Sequence, residues 1–109
     1  MELEKGILLD LQVELKELLK DKLKRIILFG SYAREDFDDE SDIDILVLID
    51  DYFLKEYDEE VLNIAVDLSI KYGIVITIFI EGVKKFEEEK DWKPFFKNIN
   101  LEGKHIYAA

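Results

Sequence analysis

Along residues 3–22, apolar side chains recur at Leu3, Ile7, Leu11, Leu15, Leu18 and Leu19. Steps of three and four stack side chains on one face of a helix, so the pattern predicts an amphipathic α-helix. Lys20, Lys22 and Lys24 suit the negative pole at its C-terminus. The period then changes. Arg25-Ile26-Ile27-Leu28-Phe29 reads as a short buried strand, and Ile43-Asp44-Ile45-Leu46-Val47-Leu48-Ile49 as a second, central one. Residues 58–72 return to helical spacing, with Val61, Ile64, Ala65 and Leu68 as the apolar stripe, Asp58 as N-cap, Glu59 and Glu60 in the first turn, and Gly73 as the stop. Residues 74–80, Ile-Val-Ile-Thr-Ile-Phe-Ile, are strongly β-prone and predict a third strand, followed by a turn at Glu81-Gly82. A broken helical segment from about Val83 to Asn98, restarted by Pro94, precedes a short edge strand at 104–107. The order α-β-turn-β-α-β-α predicts an α/β (α+β) fold, a small mixed sheet flanked by helices.

Length and charge narrow this picture. A chain of 109 residues fits one domain, residues 1–109, with one modest core. There is no cysteine, which excludes disulfides and thiolate metal sites. Met1-Glu2-Leu3-Glu4-Lys5 lacks the basic and apolar regions of a signal peptide, and no apolar run approaches the ~20 residues of a membrane span. These features predict a cytoplasmic protein. The net charge of −11 repels a phosphate backbone, so direct nucleic-acid binding is not expected. It suits a basic protein partner, and equally plain solubility.

Candidate chemistry begins at the end of the first strand. Gly30 permits close backbone approach to a ligand, and the N–H groups of the following turn, with the Ser31 hydroxyl, can cradle phosphate oxygens. Arg34 can add a charged contact. One loop later, strand alternation places Asp42 and Asp44 on the face shared by Leu46 and Leu48, ~6–7 Å apart. Oxygens at that spacing can converge on one Mg²⁺ or bridge two. Two carboxylates at the mouth of a buried strand also call for a compensating cation. Taken singly, Gly-Ser is a strand-to-helix turn and Asp-x-Asp a polar strand edge; their combination is the signal.

Gly30-Ser31, ten intervening residues and Asp42-Ile43-Asp44 resemble the signature of the DNA polymerase β-like nucleotidyltransferase superfamily. Gly-Ser-Tyr-Ala-Arg followed by Ser-Asp-Ile-Asp is similar to its minimal, single-domain MNT type. The specific signature covers residues 28–49. The resemblance implies a polymerase β-like core, ATP as substrate, contacts to the nucleotide's phosphates from Gly30 and Ser31, and Mg²⁺ on Asp42 and Asp44 as catalytic residues; Arg34 and Ser41 are further candidate nucleotide-binding residues. It further implies an antitoxin paired with a HEPN-domain protein, some members transferring AMP from ATP to a tyrosine of that ribonuclease.

Two positions depart from the family pattern. Glu35 stands where glycine often follows the Arg, which predicts a stiffer turn with a negative charge near the phosphates. Thr77 stands where the third carboxylate of active members is expected, with Glu81 further along the strand as a substitute. The sequence therefore leaves two readings open: an AMP-transferring enzyme, or a catalytically weak binding module that neutralises a basic partner by contact. Elsewhere, Asp36, Asp38, Asp39 and Glu40 read as a solvated loop and His105 as an edge residue. Trp92, Phe95 and Phe96 read as core before partner patch, and the Phe86–Lys90 run as an exposed helical face.

Overall fold

The computed structural model describes residues 2–109. The first helix, α1 (Glu2–Leu19), buries Ile7, Leu11, Leu15 and Leu19 completely. The Leu3 side chain lies outside the described residues. Lys20 takes a positive φ of 52°, which ends the helix; Lys20–Lys22 form a 3-10 turn, and Lys24 already belongs to the next strand.

The core strands are β1 (Leu23–Phe29) and β2 (Ile43–Ile49), antiparallel neighbours joined through the short helix α2 (Ser31–Arg34) and the acidic loop. From β2 the chain crosses through α3 (Asp58–Tyr72) to β3 (Ile76–Gly82), which pairs parallel with β2. Two further helices, α4 (Val83–Glu89) and α5 (Pro94–Glu102), lead to β4 (Lys104–Ala108), antiparallel to β1. The four-stranded sheet has the order β3-β2-β1-β4 and is mixed, as the element order predicts. His105 sits exposed on the β4 edge.

Strand alternation divides the core. Ile26, Leu28, Ile43, Ile45, Val47 and Ile49 face α1 and α3. Ile27, Leu46 and Leu48 face Phe86 of α4 and Phe96 and Ile99 of α5. Asp44 belongs by alternation to this second face. The structure corrects the exposed reading of the Phe86–Lys90 run: Phe86 is fully buried, and of its three glutamates only Glu88 is exposed. It also splits the aromatic trio, since Phe96 is core while Trp92 and Phe95 are 67% and 41% exposed.

Three local differences have physical causes. Tyr57, not Asp58, is the N-cap of α3; Asp58 is its first residue, where a carboxylate still meets the positive pole. The third strand starts two residues later than its composition predicts. Ser69 donates its hydroxyl to the Ala65 carbonyl and accepts from Ile76 N–H at 3.0 Å, which fixes the strand's beginning. Glu81 and Gly82 then continue the ladder opposite Leu48 and Ile49 instead of turning.

Gly82 ends β3 because Asp51 lies over it. The Asp51 carboxylate accepts from the N–H groups of Lys84 and Lys85 at 2.8 and 3.2 Å, capping α4 from a distant segment. A Cβ on Gly82 would collide with that carboxylate. Asp51→Ala is therefore expected to lower stability by about 1 kcal/mol, the usual value of an N-cap. Faster amide exchange confined to Lys84 and Lys85 at the start of α4 would locate the loss; unchanged exchange there would contradict the capping role.

Candidate active site

Gly30, Ser31 and Asp44 converge because β1 ends beside the beginning of its antiparallel neighbour β2. Phe29, the last residue of β1, pairs with Asp44 near the beginning of β2, so the backbone leaving β1 passes directly beside that carboxylate. Gly30 has φ 76° and ψ −157°, a conformation open to glycine and strained for L side chains. A Cβ built there would strike the Asp44 carboxylate, whose Cγ lies 3.3 Å away. The close approach that this glycine permits is that of the Asp44 side chain.

The turn that follows is short. Ala33 and Arg34 N–H both donate to the Gly30 carbonyl at 3.1 Å, and Asp36 N–H donates to that of Ser31. Those bonds leave the Ser31 and Tyr32 N–H groups at the start of α2 unused by the turn itself. Tyr32 is buried and stacks on Phe37 with centroids 4.2 Å apart, pinning the turn to the acidic loop. Glu35 occupies the left-handed region at φ 64°, where glycine is free of the Cβ penalty. Its carboxylate pairs with Lys104 at 3.5 Å and is absent from the cleft lining, so the expected negative charge is held away from the phosphate turn.

A cleft of about 420 Å³ opens at this point. One wall is Phe29, Gly30, Ser31 and Arg34; Asp44 forms the floor. The opposite wall is α5, which contributes Phe95, Asn98 and Glu102 over the buried Ile99. This helix was not singled out as part of the site by sequence, although Phe95, Asn98 and Glu102 follow helical spacing. Arg34 is partly exposed and bonds Asp36 through Nε at 3.1 Å and Glu102 through a terminal nitrogen at 3.5 Å. Exposed pairs of this kind contribute about 0–1 kcal/mol, so the guanidinium can be redirected to a stronger anion. A groove of about 490 Å³ also runs along the free edge of β3 against α3. Its lining is mainly apolar and lacks the Gly-Ser turn and both signature aspartates, so size does not identify the reactive site.

The two aspartates sit differently. Asp42 is exposed and absent from the cleft lining, whereas Asp44 is half-buried within it. Burial raises the Asp44 pKa above the ordinary carboxylate range, the Asp42 charge raises it further, and Arg34 opposes both. A desolvated carboxylate beside a second one fits a hard cation. Among the described residues, no group of three or more His, Cys, Asp or Glu side chains is placed to hold a metal. Mg²⁺ bound by one or two carboxylates typically completes its shell with water and substrate phosphates, which matches this donor set.

Thr77 lies beside Asp44 in the parallel register of β2 and β3. Glu81 lies at the other end of β3, opposite Leu48, and pairs with Lys85 at 3.7 Å. Ser41 closes the acidic loop: its hydroxyl accepts from Asp38 N–H at 2.9 Å and donates to the Asp38 carboxylate at 3.3 Å, and it is absent from the cleft lining.

Comparison with known proteins identifies the family and the fold. The family model of the nucleotidyltransferase domain matches residues 11–107. The chain is 40% identical over 93 residues to the Methanocaldococcus jannaschii protein named "Putative protein adenylyltransferase MJ0604", covering 85% of this chain and 87% of that one. A second protein of that organism, "Putative protein adenylyltransferase MJ0141", is 42% identical over 74 residues, covering 68% and 75%. A chain in a crystal structure of a toxin–antitoxin with AMP-PNP has a TM-score of 0.60 at 20% identity, covering 92% of this chain and 73% of that one. A chain in a complex of tri-AMPylated Shewanella oneidensis HEPN toxin with MNT antitoxin gives 0.51 at 19%, covering 94% and 73%. At those identities the likeness is one of fold. With residues 11–107 matched by the family model and a relative 40% identical over most of both chains, this protein belongs to the nucleotidyltransferase domain family.

Proposed function

We propose that this chain is a cytoplasmic antitoxin that transfers AMP from ATP to a hydroxyl, a tyrosine, of a HEPN-type ribonuclease. The observation that carries the reading is the cleft in which the Gly30-Ser31 turn and the Asp44 carboxylate meet. Two features support a protein acceptor. The relatives are named as putative protein adenylyltransferases, and the charge and surface of this chain suit a protein. The net charge of −11 favours a basic partner, and the exposed apolar residues Leu62, Val66 and Ile70, spaced four apart on α3, offer contact area.

In this reading Ser31 and the N–H groups opening α2 hold the triphosphate, and Arg34 leaves Asp36 and Glu102 to meet it. Asp42 and Asp44 would hold Mg²⁺, which supplies charge neutralisation at the phosphates. The acceptor oxygen forms a bond to the α-phosphorus, the bond from that phosphorus to the β-phosphate bridge breaks, and the phenolic proton passes to solvent as pyrophosphate leaves. Thr77 is no base, so the chain contributes position and charge rather than proton abstraction.

Incubation with α-labelled ATP, Mg²⁺ and a HEPN partner tests this. Label is expected on the partner's tyrosine and is expected to disappear with Asp42→Asn/Asp44→Asn. If no label moves while both versions still inhibit the ribonuclease, the chain is a binding module and the enzyme reading fails.

A further inference from the structure

We propose that α5 carries a nucleobase subsite that selects adenine over guanine; the inference rests on the nucleotide-binding reading above. The buried side chains Phe96 and Ile99 fix α5 against Ile27, Leu46 and Leu48 of the sheet. That anchoring turns the adjacent face, Phe95, Asn98 and Glu102 at i, i+3 and i+7, into the cleft opposite Gly30 and Ser31. The end of a nucleotide remote from its phosphates therefore meets α5.

Two side chains on that face have the chemistry to bind a base. Phe95 is held edge-on by Phe29, at 5.7 Å and 88°, and by Phe79, at 5.6 Å and 65°, yet remains 41% exposed. An aromatic ring immobilised by its neighbours and open to the cleft is a stacking platform with little entropy left to lose. Asn98 lies one helical turn on. Its amide makes no side-chain hydrogen bond among the described residues, whereas the neighbouring Glu102 carboxylate is engaged by Arg34. An amide presents a donor and an acceptor side by side. Adenine offers the complementary pair at N6 and N7, while guanine offers two acceptors at O6 and N7. Asn98 can therefore bond adenine twice and the corresponding guanine edge only once. The same amide turned to aspartate would accept only, matching the two donors on guanine's N1–H and N2 edge.

Calorimetric titration of the full chain in Mg²⁺ with AMP-PNP, GMP-PNP and inorganic tripolyphosphate reads binding without turnover. AMP-PNP is expected to bind on the order of tenfold more tightly than GMP-PNP. Asn98→Asp is expected to reverse that order. Phe95→Ala should weaken both nucleotides roughly tenfold and leave tripolyphosphate unchanged, since stacking involves the base alone. Equal affinities for the two nucleotides, unaltered in Asn98→Asp, would overturn the base subsite. If they also match tripolyphosphate and all three are lost in Asp44→Asn, the phosphate and metal reading survives that failure. No binding of any of the three overturns both readings. A Phe95→Ala variant that binds AMP-PNP normally but raises KM for the protein acceptor would assign the ring to the acceptor and likewise overturn the proposal.

Discussion

Asp44→Asn is expected to make the nucleotide-free protein more stable and, on the proposed function, to remove nucleotidyl transfer. Asp44 is half-buried beside Asp42, and burial first, then the neighbouring charge, holds its pKa above the ordinary range. A group whose folded pKa exceeds its unfolded value binds its proton more tightly in the native state. Its contribution to stability is full below the unfolded pKa and is lost as pH rises through the folded pKa. Once pH has risen past the folded pKa, the fold carries a desolvated carboxylate next to another. Asparagine keeps the shape without the charge, and removing an unfavourable charge of this kind typically adds roughly 0.5–2 kcal/mol. Thermal unfolding across pH checks the sign: the variant should melt higher at pH 7, and the gap should close as pH falls and Asp44 becomes neutral. Mg²⁺ and ATP invert the order, because only the wild type gains about 2.7 kcal/mol at a ligand concentration of 100 Kd. Loss of the metal's several kcal/mol of transition-state stabilisation corresponds to a fall in transfer of about 100-fold or more. A variant less stable than the wild type at pH 7 without nucleotide would show that Asp44 is a structural residue.

The same carboxylate explains why parts of this molecule can be read from its sequence and others cannot. The bounds of β2 follow from alternation along Ile43–Ile49, where every second side chain meets one of two different cores. The α3 bounds follow from local signals, an acidic first turn and Gly73 at φ 67°. Both are encoded within one turn or one strand. The start of β3 is not, because Ile74-Val75 and Ile78-Phe79 are equally β-prone; the choice is made by Ser69 from α3 and by the pairing with β2. The cap of α4 by Asp51 spans more than thirty residues and has no local signature.

The site divides along the same line. Gly30-Ser31 and Asp42-x-Asp44 announce themselves because a phosphate turn and paired carboxylates are short-range patterns. Phe95, Asn98 and Glu102 carry a helical spacing that is visible, but only the docking of Phe96 and Ile99 on the sheet decides which face meets the cleft. Phe95 and Phe96 are adjacent and chemically identical, so no local rule separates the core ring from the one at the site.

Gly30→Ala should have the largest effect on the fold, and a double-mutant cycle can assign its cause. Two penalties act at this position. The backbone at φ 76° and ψ −157° lies where an L side chain is strained, which costs about 1–3 kcal/mol. The added methyl also overlaps the Asp44 carboxylate, so β2 or the turn must shift. Against the 5–15 kcal/mol of an ordinary domain, the sum removes roughly a fifth or more of the stability and displaces Asp44 from the cleft. Denaturant unfolding of Gly30→Ala, Asp44→Ala and the double variant separates the terms. Asp44→Ala removes the carboxylate that the methyl would strike and leaves the backbone strain in place. The alanine at 30 should therefore destabilise less in the Asp44→Ala background, by an interaction energy of about 0.5–3 kcal/mol, as for residues in direct contact. Additive effects would mean that backbone strain alone demands the glycine and that the approach of Asp44 is incidental. A non-additive result ties the conformation of the Gly30-Ser31 turn to the position of the Asp44 carboxylate, so that one glycine sets both sides of the cleft.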